Sequence, residues 1–208
     1  MLRPSNVNKA KIVSIKQINA AYLVNEDRIL LRFNTPEEAE YRLWITRRVG
    51  LFMLVATTHL LTKQLEQSHA PDTAKAIDAF EKEALVEASK IANTTPNEYQ
   101  SGVEFPLGAE PILVMDVSCS LLQNNASNNS NSDAITSSNQ DIISIDFALP
   151  GGANLNLKLA SNMVRAITLL LDQLRQQAGW GEAVFAIQND GKTTADLNEK
   201  NSHSSALH

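Results

Sequence analysis

Residues 28–48 read RILLRFNTPEEAEYRLWITRR, and the parity of the apolar residues in this stretch decides the fold. Ile29, Leu31 and Phe33 share one parity, and Tyr41, Leu43 and Ile45 share one parity beyond the break. Side chains alternate between the two faces of a strand, so each run carries one apolar and one polar face. The intervening NTPEEA has a proline suited to a turn and only Ala39 as an apolar residue. The stretch predicts a β-hairpin whose apolar face is directed at a core.

Working outward, Thr46 is placed to cap a helix from about Arg47 to Gln67, apolar nearly all round in its first turns and therefore central. Upstream, residues 11–24 carry the alternation of a first strand. Downstream, a second helix starts near Pro71–Asp72, with Ile77, Phe80, Ala84, Leu85, Ala88 and Ile91 on its apolar face and Glu81, Lys82, Glu83 and Glu87 in solvent. Strands are expected at 102–107 and 111–122. In 123–139, eleven of seventeen residues are Asn or Ser, the composition of an expanded loop. A second hairpin follows at 141–149 and 153–159 around Pro150–Gly151–Gly152. Ser161 or Asn162 then caps a helix through Gln177, stopped by Gly179. Trp180 is expected to fold back on the core, with a short strand at 184–187 and a polar, disordered tail from 189 to 208.

Shifted by 114 positions, the two hairpin–helix segments superpose without a gap. Ile29, Leu31, Phe33, Pro36 and Ala39 fall on Ile143, Ile145, Phe147, Pro150 and Ala153, and Leu60 falls on Leu174. The expected class is α+β, built from duplicated antiparallel hairpin–helix units, each preceded by a strand, with helices on one sheet face. The expected halves are 1–93 and 94–188, followed by the tail.

Of the 208 residues, 43% are hydrophobic and 20% charged, which is globular composition. The net charge of −5 is uneven. Residues 1–50 hold nine Lys/Arg against five Asp/Glu, and the remainder nine against eighteen. Residues 1–10 are polar, without the apolar run of a secretory signal, and 49–61 is too short and too interrupted by Thr57, Thr58 and His59 to span a bilayer. The expectation is a cytoplasmic chain with no membrane partner. The single cysteine, Cys119, lies in the apolar run VMDVSCSLL and reads as an inert core thiol. His59, His69, His203 and His208 make no tight pair, so no metal site and no cofactor are expected.

The polar face of the first hairpin carries the candidate site. Arg28, Arg32, Arg42 and Trp44 point away from the apolar side, with Arg47 and Arg48 flanking them. Pairing about the proline turn sets Arg28 opposite Trp44, Leu30 opposite Arg42 and Arg32 opposite Glu40. Guanidinium forks hold phosphate and an indole stacks on an unpaired base, so the face suits single-stranded nucleic acid. It equally suits a protein contact, or a solvated face with an Arg32–Glu40 pair and an Arg28–Trp44 cation–π contact. Phosphate-loop, dinucleotide, nucleophile-elbow and zinc-protease motifs are missing, and no catalytic residue is assigned.

The stretch EDRILLRFNTPEEAEYRLWITRRV resembles a family of small bacterial proteins with a DR…EYRLW[IL]TRR signature, over the first third of the chain, and that resemblance implies no activity. In order of elements alone, strands then a helix, twice, the chain resembles Whirly and PUR-repeat proteins, which implies single-stranded nucleic-acid binding on a sheet. The acidic balance departs from that pattern. The sequence therefore reads as a non-catalytic binding or assembly protein, self-associating and contacting another protein. Single-stranded nucleic-acid binding is the alternative.

Overall fold

In the computed structural model, residues 14–92, 98–122 and 142–182 are described. The hairpin forms from β2 (Arg28–Asn34) and β3 (Glu40–Thr46), with β1 (Gln17–Leu23) antiparallel to β2. Ile29, Leu31, Phe33, Tyr41, Leu43 and Ile45 are all buried, as their parity requires. The pairing itself is corrected. Leu30 lies opposite Trp44, Arg32 opposite Arg42 and Asn34 opposite Glu40, not the pairs expected from the proline. The loop is centred farther along the chain. The Thr35 N–H donates to the Ala39 carbonyl at 2.9 Å, and Glu38 takes a left-handed φ of 60° to close the turn. This slip of two residues preserves parity, so the two faces keep their composition while their cross-strand partners change.

Thr46 caps α1 (Arg47–Glu66), its hydroxyl accepting from the Val49 N–H at 3.4 Å. α2 (Pro71–Ala92) begins at its proline. Its apolar face is corrected: Phe80 is 72% exposed, and Ala84 and Ala88 are exposed too. The helix lies against α1 and α3 through a narrow strip containing Ala74, Asp78, Glu81 and Leu85, so Phe80 sits on the opposite side.

The expected strand at 102–107 is an irregular strap with a single parallel bridge, Ala39 to Glu104. Pro106 lacks an N–H to give a ladder, and Gly108 turns the chain at a φ of 97°. The expected strand 111–122 divides between two sheets. β4 (Ile112–Leu113) runs parallel to β3, while β5 (Asp116–Leu122) is antiparallel to β6 (Ile142–Ala148). The step lies at Val114–Met115, where one N–H reaches the Trp44 carbonyl and the next reaches that of Ala148. β7 (Asn154–Ala160) completes the second sheet, ordered β5-β6-β7 against β1-β2-β3-β4 for the first.

α3 (Ser161–Ala178) starts one residue earlier than a Ser161 cap requires and two earlier than an Asn162 cap, with Ala160 at the cap position. Gly179 ends it in the left-handed conformation, and Trp180, 2% exposed, folds back into the core. The expected first strand narrows to β1. The Asn/Ser loop, the strand at 184–187 and the tail lie outside the described residues.

The helices exchange partners between sheets: α1 packs on β5, and α3 packs on β1. Hydrogen bonds Thr168–Thr57 (2.9 Å) and Ser161–Gln64 (2.5 Å) run α1 and α3 antiparallel. Buried residues from both sheets and both helices form one core. The class is α+β, with α2 as an outer layer.

Candidate binding faces

Beyond Asn34 the chain must reverse, and the register places Glu40, with no exposed surface, on the polar face of β3. A carboxylate removed from water needs compensation. Arg42 supplies it from two residues on, its Nε donating at 2.8 Å, and the Gly102 N–H donates to the second oxygen at 2.7 Å. Arg42 continues across the strap, donating to the Ala109 carbonyl at 2.8 Å and lying over the Phe105 ring at 4.5 Å. Arg32 donates to Asn19 at 2.8 Å and lies over Tyr99 at 4.9 Å. Burial raises the Tyr99 phenol to about 12, so that ring stays neutral beneath the guanidinium.

The strap 98–113 thus lies over the polar side of the first hairpin, and the expected arginine face is half-buried by the chain's own aromatics. Trp44 is half-buried, its backbone holding Val114. Among the described residues Arg28 reaches only Glu26, at 3.9 Å, and neither the Arg28–Trp44 nor the Arg32–Glu40 contact forms. Arg48 donates to the Met115 carbonyl at 2.5 Å and to Asp116 at 3.5 Å. Arg47 donates to the Trp180 carbonyl at 2.9 Å. The six candidates do not converge on one open surface: two are sandwiched under the strap, and two join α1 to the start of β5 and the end of α3.

Trp180 closes the junction between the two ends. Its indole N–H donates to Asp27 at 2.6 Å, Tyr22 donates to the same oxygen at 2.9 Å, and the Tyr22 and Trp180 rings meet edge-on at 5.8 Å. These two hydrogen bonds, chiefly that from Trp180, hold the Asp27 carboxyl below the usual carboxylate range. A Cβ on Gly50 would stand 3.1 Å from the indole, so a larger residue there would require the ring to shift by a few tenths of an ångström.

The feature missed by sequence reasoning is a cleft of about 590 Å³ between the three helices. Leu54, Val55 and His59 line it from α1, Lys82 and Leu85 from α2, and Thr168 and Leu169 from α3. Its framework is an ion-pair strut. Arg165, with 9% of its side chain exposed, pairs with both Asp78 and Glu81, the latter at 2.6 Å. Two turns on, Asp172 and Arg175 pair at 2.8 Å. Burial, aided by Lys63, lowers the His59 pKa, favouring the neutral ring. The available signal was the placement of Arg165 between the buried positions Val164 and Ile167, where an arginine needs a partner from another element.

Cys119 is buried on β5, and desolvation pushes its thiol up to about 12, the environment of a core residue and not of a nucleophile. Among the described residues no helix is long and apolar enough to cross a membrane. Compared with known protein families, with curated proteins and with solved structures, the chain finds no match.

Proposed function

We propose that this chain is a non-catalytic, cytoplasmic assembly protein that acts through protein–protein contacts and pairs with a second copy of itself along α2. The observation that carries this reading is the solvent side of that helix. Exposed Thr73, half-buried Ile77 and exposed Phe80 and Ala84 follow one another at spacings of four, three and four, the seam of a helix that packs against another helix. Phe80 stands at its middle, 72% exposed. An exposed phenylalanine on a helical seam is the pattern of a partner-facing surface.

The seam is self-complementary about Phe80. In an antiparallel pair the two Phe80 rings meet at the twofold axis, and each Ile77 faces the small Ala84 of the other copy. Large against small is the packing that lets two helices close on each other. The first hairpin supports assembly over nucleic-acid binding, since Arg32, Arg42, Arg47 and Arg48 already have partners within the chain. The repeated order of three strands and a helix supports descent from one duplicated unit. β2, β3 and the start of α1 are each followed 114 residues later by β6, β7 and the start of α3.

Light scattering on the full chain at micromolar concentration should return twice the chain mass. Phe80→Asp should return the single mass with an unchanged far-ultraviolet spectrum. A monomeric wild type overturns the proposal, as does a Phe80→Asp protein that remains dimeric.

A further inference from the structure

The three-helix cleft has the size and the division of polarity of a ligand site. Its volume of about 590 Å³ lies within the roughly 300–1,000 Å³ typical of small-molecule pockets. α1 and α3 run antiparallel, and the short turn after α1 sends α2 back alongside it. One end of the cleft therefore holds His59 and Lys82 beside the Arg165 strut, and the Asp172–Arg175 pair marks the other. Leu54, Val55, Leu85 and Leu169 form the walls between them.

We infer that this cleft binds a small amphipathic monocarboxylate, with its alkyl chain against the four apolar side chains and its carboxylate on Lys82 and His59. Three observations select that chemistry. Arg165 is committed to two carboxylates and Arg175 to one, so neither is available to a ligand. Among the described residues, Lys82 and His59 make no hydrogen bond or ion pair, which leaves an ammonium and an imidazole at one end to receive an anionic head. Finally, the cations Lys82, Arg165 and Arg175 face Asp78, Asp172 and Glu182 in the lining and Glu81 beside it, three positive groups against four negative. Charges so disposed give a polyanion such as a nucleotide no net attraction, whereas one carboxylate needs only local contact with the single uncommitted ammonium.

Length fits as well: the five residues from His59 back to Leu54 advance roughly 7.5 Å along α1, the reach of an alkyl chain of about seven carbons. The fold holds the walls apart. The strut sets α2 against α3, and the Thr57–Thr168 hydrogen bond sets α3 against α1, so the cleft exists before any ligand arrives.

Isothermal titration calorimetry with sodium octanoate, n-octylamine and 1-octanol tests the assignment on the full chain. Octanoate should bind once per chain, octanol more weakly and octylamine not at all. Lys82→Gln, on an exposed side chain, should weaken octanoate by about tenfold by removing the charged donor. Val55→Trp should fill the apolar section and abolish binding. Should that variant fold poorly, Thr58→Trp at the exposed rim serves the same purpose. The Phe80→Asp protein should bind octanoate as the wild type does, because the cleft lies within one chain, and this separates the inference from self-association. No octanoate binding, octylamine binding equal to octanoate, or indifference to both the charge and the filling substitutions would each overturn it.

Discussion

At the scale of the residue, Glu40 and Arg42 show how little of an arginine's role its parity reveals. Parity placed Arg42 on the polar face, but register decided what it meets there, and register depended on a turn centred on Glu37 and closed by the left-handed Glu38. With Glu40 fully buried, Arg42→Ala leaves a carboxylate without its counter-ion. A loss of about 3 kcal/mol in urea unfolding is expected. Arg28→Ala, on a side chain 41% exposed that pairs with Glu26 at 3.9 Å, should change stability by less than about 0.5 kcal/mol. Comparable losses from the two substitutions would show that the face is not divided as described. Asp27 adds a pH dependence of known sign. Its folded-state pKa lies below the ordinary value, so its contribution is present above that value and disappears as the pH falls through the acidic range. Asp27→Asn should flatten the acid limb of the stability profile and, because the Asp27 hydrogen bond and charge also raise the Tyr22 phenol, lessen the loss of stability at alkaline pH. The hairpin, its faces and the Thr46 cap were legible because they depend on local chemistry; the arginines' partners were not, because Tyr99 and Phe105 arrive from more than fifty residues away.

At the scale of the element, the strap and α2 mark where periodicity stops being informative. The strap 98–113 has no repeating pattern, and its position depends on one close approach. A Cβ on Gly102 would lie 2.6 Å from the Glu38 carbonyl oxygen and 2.9 Å from the Glu40 nitrogen, both backbone atoms that cannot swing aside. Gly102→Ala should therefore lift the strap and break the N–H contact to Glu40, at a cost of about 2 kcal/mol or more. Hydrogen exchange should show faster exchange at Val103 and Glu104, whose N–H groups donate to the Glu38 carbonyl. An unchanged exchange pattern would mean the strap is held elsewhere. For α2 the difficulty is of another kind. Its sequence carries two stripes, Ala74–Asp78–Glu81–Leu85 and Thr73–Ile77–Phe80–Ala84, and the second is the more apolar. Hydrophobicity alone favours burying Phe80. The ion pairs of Asp78 and Glu81 to the largely buried Arg165 side chain hold the helix the other way round, and they also frame the cleft. Neither the helix's orientation nor the cleft could be read before α3 was placed beside it.

At the scale of the whole molecule, the exchange of helices between sheets makes a claim about cooperativity. α3, from the second half of the chain, packs on β1 of the first, and α1 packs on β5 of the second. If each helix had covered its own hairpin, the halves could unfold separately. As built, removing either helix uncovers both sheets, and Trp180 ties the end of α3 to Tyr22 and Asp27. Leu171, 1% exposed on α3, tests this. Leu171→Ala deletes buried methyl groups and should cost about 3 kcal/mol. In a molecule that opens as one unit, that loss appears in every amide protected by global unfolding, as an acceleration of about a hundredfold. The amides of Ile29, Leu31 and Leu43, in a sheet far along the chain from the substitution, should accelerate as much as those of Ile143 and Ile145. Acceleration confined to β5, β6 and β7 would show two independently stable halves. Equal acceleration in both sheets would follow from a single core whose helices each belong to two sheets, with stability that cannot be assigned to either half alone.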